Sequence, residues 1–137
     1  MTQTIFDKLS LPPVARLLGW KLVALDPRAG TIEAEFLARP EFTNPSGFVQ
    51  GGMIAAMLDD TLGPAIFVVS GGRRMSTTID LHLHYVRPVR PGRVTATAEV
   101  TNLGSRIAFV EGRLFDSEGR LAATAKASAM LADYRPE

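Results

Sequence analysis

A long apolar segment bounded by glycine pairs is the dominant feature of this sequence. Residues 51–69 begin with Gly-Gly, carry two adjacent aspartates in the middle and are followed by a second Gly-Gly pair. The length and composition predict one helix that is buried on most sides. Glycines at its start leave the first backbone N–H groups bare, and the second pair is expected to stop it. Pro64 removes one internal hydrogen bond and is expected to kink the helix.

The remaining segments are predicted to be strands, apart from a short helix over residues 12–18 and a loop over residues 38–50. The predicted strands cover residues 20–26, 31–37, 75–86, 93–103, 105–116 and 121–131. Apolar and polar residues alternate along 31–37 and 93–103, which places one face of each strand in the core. Strands, one central helix and a run of antiparallel strands predict an α+β fold in a single domain, residues 1–137.

Composition excludes several classes of protein. The 137 residues are 46% hydrophobic and 21% charged, which is typical of one globular domain. A net charge of +1 gives no general attraction to nucleic acid, and the absence of cysteine excludes a thiol nucleophile. No signal peptide or membrane span is recognisable, so we expect a cytoplasmic protein with no membrane partner. Nucleotide-binding glycine motifs are also absent, and no cofactor is expected.

Asp59 is the first candidate for chemistry. On a helical wheel its nearest neighbours are mostly glycine and alanine, so this side of the helix is shallow. An acid among apolar residues is costly unless it is paired or used. Asp59 also shares its side with Gly52, below the N–H groups of the helix N-terminus, whereas Asp60 lies about 100° further round. This geometry favours Asp59 over Asp60 as the working acid.

The small residues around Asp59 also have a purely structural explanation. They would let the helix lie close to the sheet or to a second copy of itself. Asp59 would then be merely hydrogen-bonded, and Asp60 would be solvated. Both interpretations hold together if the helix packs at a dimer interface and the acid faces a pocket there.

The spacing of these residues resembles the PaaI-like branch of the hotdog-fold acyl-CoA thioesterases. The family pattern is Asn, five residues, His-Gly-Gly and an Asp nine positions after the His. Asn44 and Asp59 keep these spacings, and Gln50 stands in place of the His. The segment 77–88 is similar to the family's third strand, which ends in an aromatic residue, one residue and Arg-Pro. The resemblance covers about residues 11–131 and implies an antiparallel sheet wrapped around one long central helix.

The resemblance implies hydrolysis of an acyl-CoA to free acid and CoA. The Gly51 N–H would stabilise the oxyanion, and Asp59 would act as general base on water or attack directly to give a mixed anhydride. Asn44 would orient the water or the acyl group. Thr78 of a partner subunit would help to hold the water. Thr77 is adjacent, and strand alternation puts only one of the two threonines on the pocket side.

Gln50 is a departure from the family pattern with a chemical consequence. Its amide can donate a hydrogen bond but carries no proton at neutral pH, so the chemistry would depend on Asp59. We therefore expect the rate to show one acidic limb, and a second ionisation surviving His82→Ala and His84→Ala would contradict this. Those two histidines share a strand face, but no third ligand has fitting spacing, so no metal is expected.

Substrate binding is predicted for Gly52, Thr77, Arg87 and Arg90. The two arginines lie in a basic loop after the third strand, and guanidinium groups are suited to CoA phosphates. The resemblance also implies a homo-oligomer, a dimer of dimers, whose sheets join edge to edge. Two alternatives remain: a non-catalytic acyl-CoA-binding protein, and a hotdog enoyl-CoA hydratase or dehydratase, which would need a histidine that Gln50 has replaced.

Overall fold

One antiparallel sheet and one long helix make up most of the fold, and the computed structural model describes residues 3–135. The elements in chain order are α1 (Pro13–Leu18), β1 (Lys21–Asp26), β2 (Thr31–Ala38), a 3₁₀ turn (Pro40–Phe42), α2 (Gly51–Val69), β3 (Arg74–Tyr85), β4 (Gly92–Leu103), β5 (Ile107–Phe115) and β6 (Leu121–Asp133). The six strands form one sheet in the order β1-β2-β4-β5-β6-β3, and every neighbouring pair is antiparallel. The predicted α+β class, with a sheet around one central helix, is confirmed.

The predicted element bounds agree with the structure to within two residues. α2 begins and ends where the glycine pairs predict, and Gly71 and Gly72 follow it with φ of 66° and 77°, a left-handed conformation that favours glycine. β5 begins at Ile107 instead of residue 105, because the Gly104 N–H donates to the Ile107 carbonyl at 2.9 Å and closes a tight turn there.

The core lies between α2 and the inner face of the sheet. The alternation predicted for β2 and β4 is confirmed, since Ile32, Ala34 and Phe36 are buried. The same is true of Val94, Ala96 and Ala98. β6 presents a row of small buried side chains to the interior: Ala123, Ala125, Ala127 and Ala129. Alanines on this inner face leave room for the helix to lie close to the sheet.

By length and hydropathy alone, α2 would pass as a membrane-crossing helix, although the sequence pattern predicted no segment long enough. Half of the window that meets this criterion is buried inside the domain. α2 packs against β2, β3, β4 and β5. This packing in the core accounts for its apolar composition.

α2 is one continuous helix from Gly51 to Val69, even though Pro64 lies inside it. Proline has no N–H, so Pro64 cannot donate to the Asp60 carbonyl four residues earlier. The indole Nε1–H of Trp20 donates to this carbonyl instead, at 3.1 Å. The backbone oxygen that the proline leaves without an intrahelical donor is therefore satisfied from outside the helix.

The two edges of the sheet differ in length and surface. β1 has six residues, whereas β3 has twelve and, among residues 3–135, pairs only with β6. Apolar side chains on β3 are exposed, with Met75 at 44%, Ile79 at 54% and Tyr85 at 55%. A long exposed edge strand with apolar side chains is a template for pairing with another chain.

Candidate active site

Most of the predicted site residues fall into two groups, one at the N-terminus of α2 and one in its middle. The tip group consists of the predicted residues Asn44, Gln50, Gly51, Gly52 and Arg87, together with Tyr85, whose hydroxyl contacts Gly51. The acid group consists of Asp59 and Thr78. Asp59 lies eight positions after Gly51, which is about 12 Å along the helix axis. The sequence placed Asp59 just below the helix N-terminus, but a single small carbonyl cannot contact both groups of one chain.

The tip group contains two free backbone donors. Within residues 3–135 no acceptor takes the N–H of Gly51 or of Gly52. The Gln50 carbonyl accepts the N–H of Met53 at 2.9 Å, while the Gln50 side chain is exposed and makes no capping hydrogen bond. Backbone hydrogen bonds to the Gln50 carbonyl therefore stabilise the start of the helix, and the N–H groups of Gly51 and Gly52 stay available to an anion.

Asn44 shapes the loop that leads into α2. Its Oδ1 accepts the N–H of Ser46 at 2.9 Å and the N–H of Phe48 at 3.2 Å. The Asn44 backbone N–H in turn donates to the Phe48 carbonyl at 2.7 Å. The side-chain oxygen is thus occupied by the loop, and only the NH₂ group can act on a ligand. The structure supports a role in orienting the loop more directly than the predicted role in orienting water.

A cleft of about 390 Å³ opens beside the helix N-terminus. Asn44, Phe48, Gly51, Tyr85 and Arg87 contribute to its lining. The Arg87 guanidinium also donates to the Leu121 carbonyl at 3.3 Å. The Arg90 guanidinium lies 5.1 Å from the centroid of the Phe48 ring. Both arginines predicted to bind substrate are therefore close to the cleft, whereas Asp59 does not line it.

The acid group is held together by one short hydrogen bond. The Thr78 hydroxyl donates to Oδ1 of Asp59 at 2.7 Å. This bond forms within one chain, whereas the resemblance had implied that a Thr78 contributed by a partner subunit would hold the water. Thr77 pairs with Met130 on the outer face of the sheet, away from α2. The structure therefore brings Thr78, and not Thr77, to the acid.

A β-bulge in β3 explains why Thr78, and not Thr77, faces Asp59. The pairing with β6 shifts between Thr78 and Asp80, so that Ile79 is the extra residue. Asp80 lies on the outer face and accepts the Ser128 N–H at 2.9 Å and the Ser128 hydroxyl at 2.5 Å. These hydrogen bonds, the hydroxyl first, lower the pKa of Asp80. The bulge lets Thr78 face the helix while the strand beyond it continues with its leucines in the core.

Asp60 differs from its neighbour Asp59. Its side chain is half-buried, and its Oδ2 atom is buried without a hydrogen-bond partner among the described residues. Burial, assisted by the charge of Asp59, raises the pKa of Asp60 to about 6. The structural explanation offered for this stretch had left Asp60 solvated, and that expectation is wrong. Sequence reasoning missed it because the neighbours that bury Asp60 come from elsewhere in the fold.

The two histidines lie outside both groups. His82 and His84 are on the outer face of β3, with ring centroids 5.0 Å apart. They line a shallow outer cleft of about 1010 Å³, together with polar residues of the sheet and no member of the tip or acid group. In residues 3–135 no cluster of three or more His, Cys, Asp or Glu side chains is arranged to hold a metal.

Tyr85 is the residue of the tip group to which sequence reasoning gave no role. Its hydroxyl donates to the Gly51 carbonyl at 2.7 Å. The available signal was its place as the aromatic residue of the aromatic-x-Arg-Pro pattern that ends the third strand in the family that this sequence resembles. The pattern identified the strand, but the contact with Gly51 depends on how the strand crosses the helix N-terminus.

Comparisons with known proteins agree with this architecture. A solved structure from Ralstonia eutropha JMP134, described as a phenylacetic acid degradation-related protein, has 35% sequence identity and a TM-score of 0.81. The alignment covers 90% of this chain and 93% of that one. The PaaI protein of Escherichia coli superposes with a TM-score of 0.77 over 86% and 83% of the two chains, and its 17% identity shows the fold alone.

Sequence comparison gives the same family. Human acyl-coenzyme A thioesterase 13 is 26% identical over 114 residues, which are 80% of each chain. The profile of the thioesterase superfamily matches residues 46–123, from the loop before α2 into β6. This range includes the acid group and most of the tip group. The chain therefore belongs to the thioesterase superfamily, with the hotdog architecture of its PaaI-like members.

Proposed function

We propose that this protein is an acyl-CoA thioesterase in which Asp59 activates the attacking water. The observation that carries the proposal is the hydrogen bond from the Thr78 hydroxyl to Oδ1 of Asp59. This bond fixes the carboxylate and leaves Oδ2 free to accept a proton. The names of the relatives support the substrate class, since one is an acyl-coenzyme A thioesterase and another a 1,4-dihydroxy-2-naphthoyl-CoA hydrolase.

The proposed reaction uses few groups. Asp59 removes a proton from water as the water oxygen bonds to the thioester carbonyl carbon. The carbonyl oxygen becomes an oxyanion, which backbone N–H groups stabilise. The C–S bond then breaks, the CoA thiolate leaves and takes the proton held by Asp59, and Asp59 returns to its carboxylate form. Direct attack by Asp59 would instead form a mixed anhydride, which rapid quenching and mass spectrometry of the Asp59 peptide would detect.

The oxyanion donors are proposed to come from a second copy of the chain. Gly51 lies about 12 Å along α2 from Asp59, too far for both to contact one carbonyl. If two copies meet with their α2 helices antiparallel, the tip group of one approaches the acid group of the other. The complete site would then contain Asp59 and Thr78 of one chain and Gly51 of the partner subunit.

Two surfaces support such a pairing. The long exposed edge of β3 can pair with the same edge of a second copy, and a twofold axis makes that pairing antiparallel. The side of α2 that bears Asp59 is incompletely covered within one chain, and its small residues permit close approach: Gly52, Ala55, Ala56 and Gly63. We propose a homodimer joined at β3, with two dimers forming a tetramer.

The cleft beside the helix N-terminus is the proposed place for CoA. Arg87 and Arg90 would supply positive charge for its phosphates. Phe48, which carries the Arg90 guanidinium on its ring, would give an apolar wall. The acyl group would extend from this cleft towards the acid group of the other chain.

The test is release of free thiol from a panel of aromatic and fatty acyl-CoAs. Wild-type protein is expected to turn over at least one of them. Asp59→Asn should lower kcat by about 1000-fold or more, because it removes the base without changing the shape of the side chain. Asp60→Asn is the matched control at the next position, and it should retain activity within a few fold.

The outcomes separate the alternatives. Tight binding of acyl-CoA without turnover would identify a non-catalytic binding protein. Addition of water to an enoyl-CoA without thiol release would identify a hydratase. Equal losses in Asp59→Asn and Asp60→Asn, with the fold intact, would contradict the assignment of the base.

A further inference from the structure

Tyr85 contacts the N-terminus of α2, and the proposed reaction assigns this contact no role. Its hydroxyl donates to the Gly51 carbonyl at 2.7 Å. The ring lies so close to Gly51 that a Cβ there would be 3.2 Å from Cζ and 3.3 Å from the hydroxyl oxygen. Glycine at position 51 therefore allows the tyrosine to reach the backbone.

The carbonyl of Gly51 belongs to the same planar peptide unit as the N–H of Gly52. In a trans peptide these two groups point in opposite directions, so fixing one fixes the other. The Gly52 N–H has no acceptor among the described residues. A hydrogen bond to the carbonyl also polarises the peptide and strengthens its N–H as a donor.

We infer that Tyr85 is a positioning residue, which orients the peptide between Gly51 and Gly52 so that the Gly52 N–H serves as a second oxyanion donor. This inference rests on the proposed function. It adds the Gly52 N–H as a second oxyanion donor and Tyr85 as the residue that positions this donor. Gly51 is the first residue of α2, so its carbonyl also accepts the Ala55 N–H within the helix, and the Tyr85 hydroxyl is a second donor to the same oxygen. Two successive glycines make this first turn flexible, and without the hydroxyl the peptide would sample a wider range of orientations.

Tyr85→Phe is the test, because it removes only the hydroxyl from a side chain that is 55% exposed. Tyr134→Phe is the matched control, since the Tyr134 ring packs on Phe67 in a separate part of the molecule, 5.4 Å between centroids. We expect Tyr85→Phe to lower kcat about tenfold with KM within about twofold of wild type. Tyr134→Phe should keep the wild-type kcat and KM.

A second readout does not depend on activity. The amide resonance of Gly52 should shift in Tyr85→Phe, while that of Gly119, in a distant turn with open space around it, should not. A kcat equal to that of Tyr134→Phe, or a higher KM with unchanged kcat, would overturn the inference.

The two proposals fail in different ways. If wild-type protein releases no thiol from any acyl-CoA, the proposed function fails, and the Gly52 resonance still decides whether Tyr85 orients this peptide. If wild-type protein is active and neither kcat nor the resonance responds to Tyr85→Phe, the thioesterase assignment stands and the role of Tyr85 is refuted.

Discussion

The tip group and the acid group lie on the same helix but are built in different ways. Most of the tip group, from Asn44 to Gly52, depends on backbone N–H groups and on the loop that precedes α2 directly, and the end of β3 adds Tyr85 and Arg87 to it. The acid group depends on a hydrogen bond between residues nineteen positions apart, Asp59 and Thr78. In the proposed reaction the two groups are halves of one site, each assembled separately and too distant from the other within one chain to contact the same carbonyl.

The largest effect expected in the tip group comes from removing the Gly51 N–H while keeping the shape of the helix start. Gly51→Pro removes the N–H at the first helical position, where proline is tolerated, and Gln50 already has a ψ of 135°, which suits a residue before proline. Gly51→Ala adds a comparable Cβ contact with Tyr85 but keeps the N–H. We expect kcat to be about 100-fold lower in Gly51→Pro than in Gly51→Ala. Equal kcat values would remove Gly51 from the oxyanion site.

A smaller effect is expected in the acid group. Thr78→Val removes the hydroxyl that fixes Asp59 and should lower kcat about tenfold, because the carboxylate then samples more orientations. Thr77→Val changes the adjacent residue on the opposite face of the sheet and is the matched comparison. Steady-state kinetics of the two variants decide between the threonines. A larger loss in Thr77→Val would mean that β3 has the other register.

Asp60 should make stability depend on pH. Its folded-state pKa is raised from 3.8 to about 6, by burial first and the Asp59 charge second. The folded state then binds more protons than the unfolded state between about pH 4 and 6, so the free energy of unfolding falls as pH rises through that window. After allowance for solvent screening, the loss is about 1–2 kcal/mol.

Asp60→Asn tests this by chemical denaturation at pH 4.5 and pH 7.5. The variant should lose the fall seen in wild-type protein and should be the more stable of the two at pH 7.5. If wild-type protein and Asp60→Asn show the same dependence of stability on pH, the Asp60 carboxyl is solvated, as the structural explanation of the small residues around Asp59 implied.

The smallest expected effect concerns the hydrogen bond from the Trp20 indole to the Asp60 carbonyl. Trp20→Phe should lower the free energy of unfolding by about 1 kcal/mol, because the Asp60 carbonyl loses its donor. In a Pro64→Ala background the helix supplies an N–H to that carbonyl, so the same substitution should cost less. A double-mutant cycle by denaturant unfolding measures the difference. Additive effects would show that the indole and the proline act independently.

The sequence predicts those features whose signals are local. The glycine pairs predict where α2 begins and ends, because Gly71 and Gly72 adopt a left-handed conformation that stops a helix. The alternation in β2 and β4 predicts which side chains enter the core. The family spacing from Asn44 to Asp59 predicts the architecture, which the comparisons confirm.

The remaining features depend on tertiary pairing. The bulge at Ile79 decides which threonine faces Asp59, and strand propensity does not signal it. The burial of the Asp60 oxygen depends on how other parts of the chain cover α2. The contact of Tyr85 with Gly51 likewise arises from the crossing of β3 and α2, thirty-four residues apart. Such pairings are set by the whole fold and cannot be read from one segment.

Hybrid proteins test most directly whether the site is shared between two chains. The Asp59→Asn and Gly51→Pro chains are expressed together in equal amounts, and the thioesterase rate per protomer is compared with that of each variant alone. With shared sites, half of the dimers are hybrids and each has one intact site, so about a quarter of the wild-type rate should return. The two variants purified separately and mixed just before the assay are the control. A rate no higher than that of this mixture, with hybrid dimers demonstrated by mass spectrometry, would contradict the shared site.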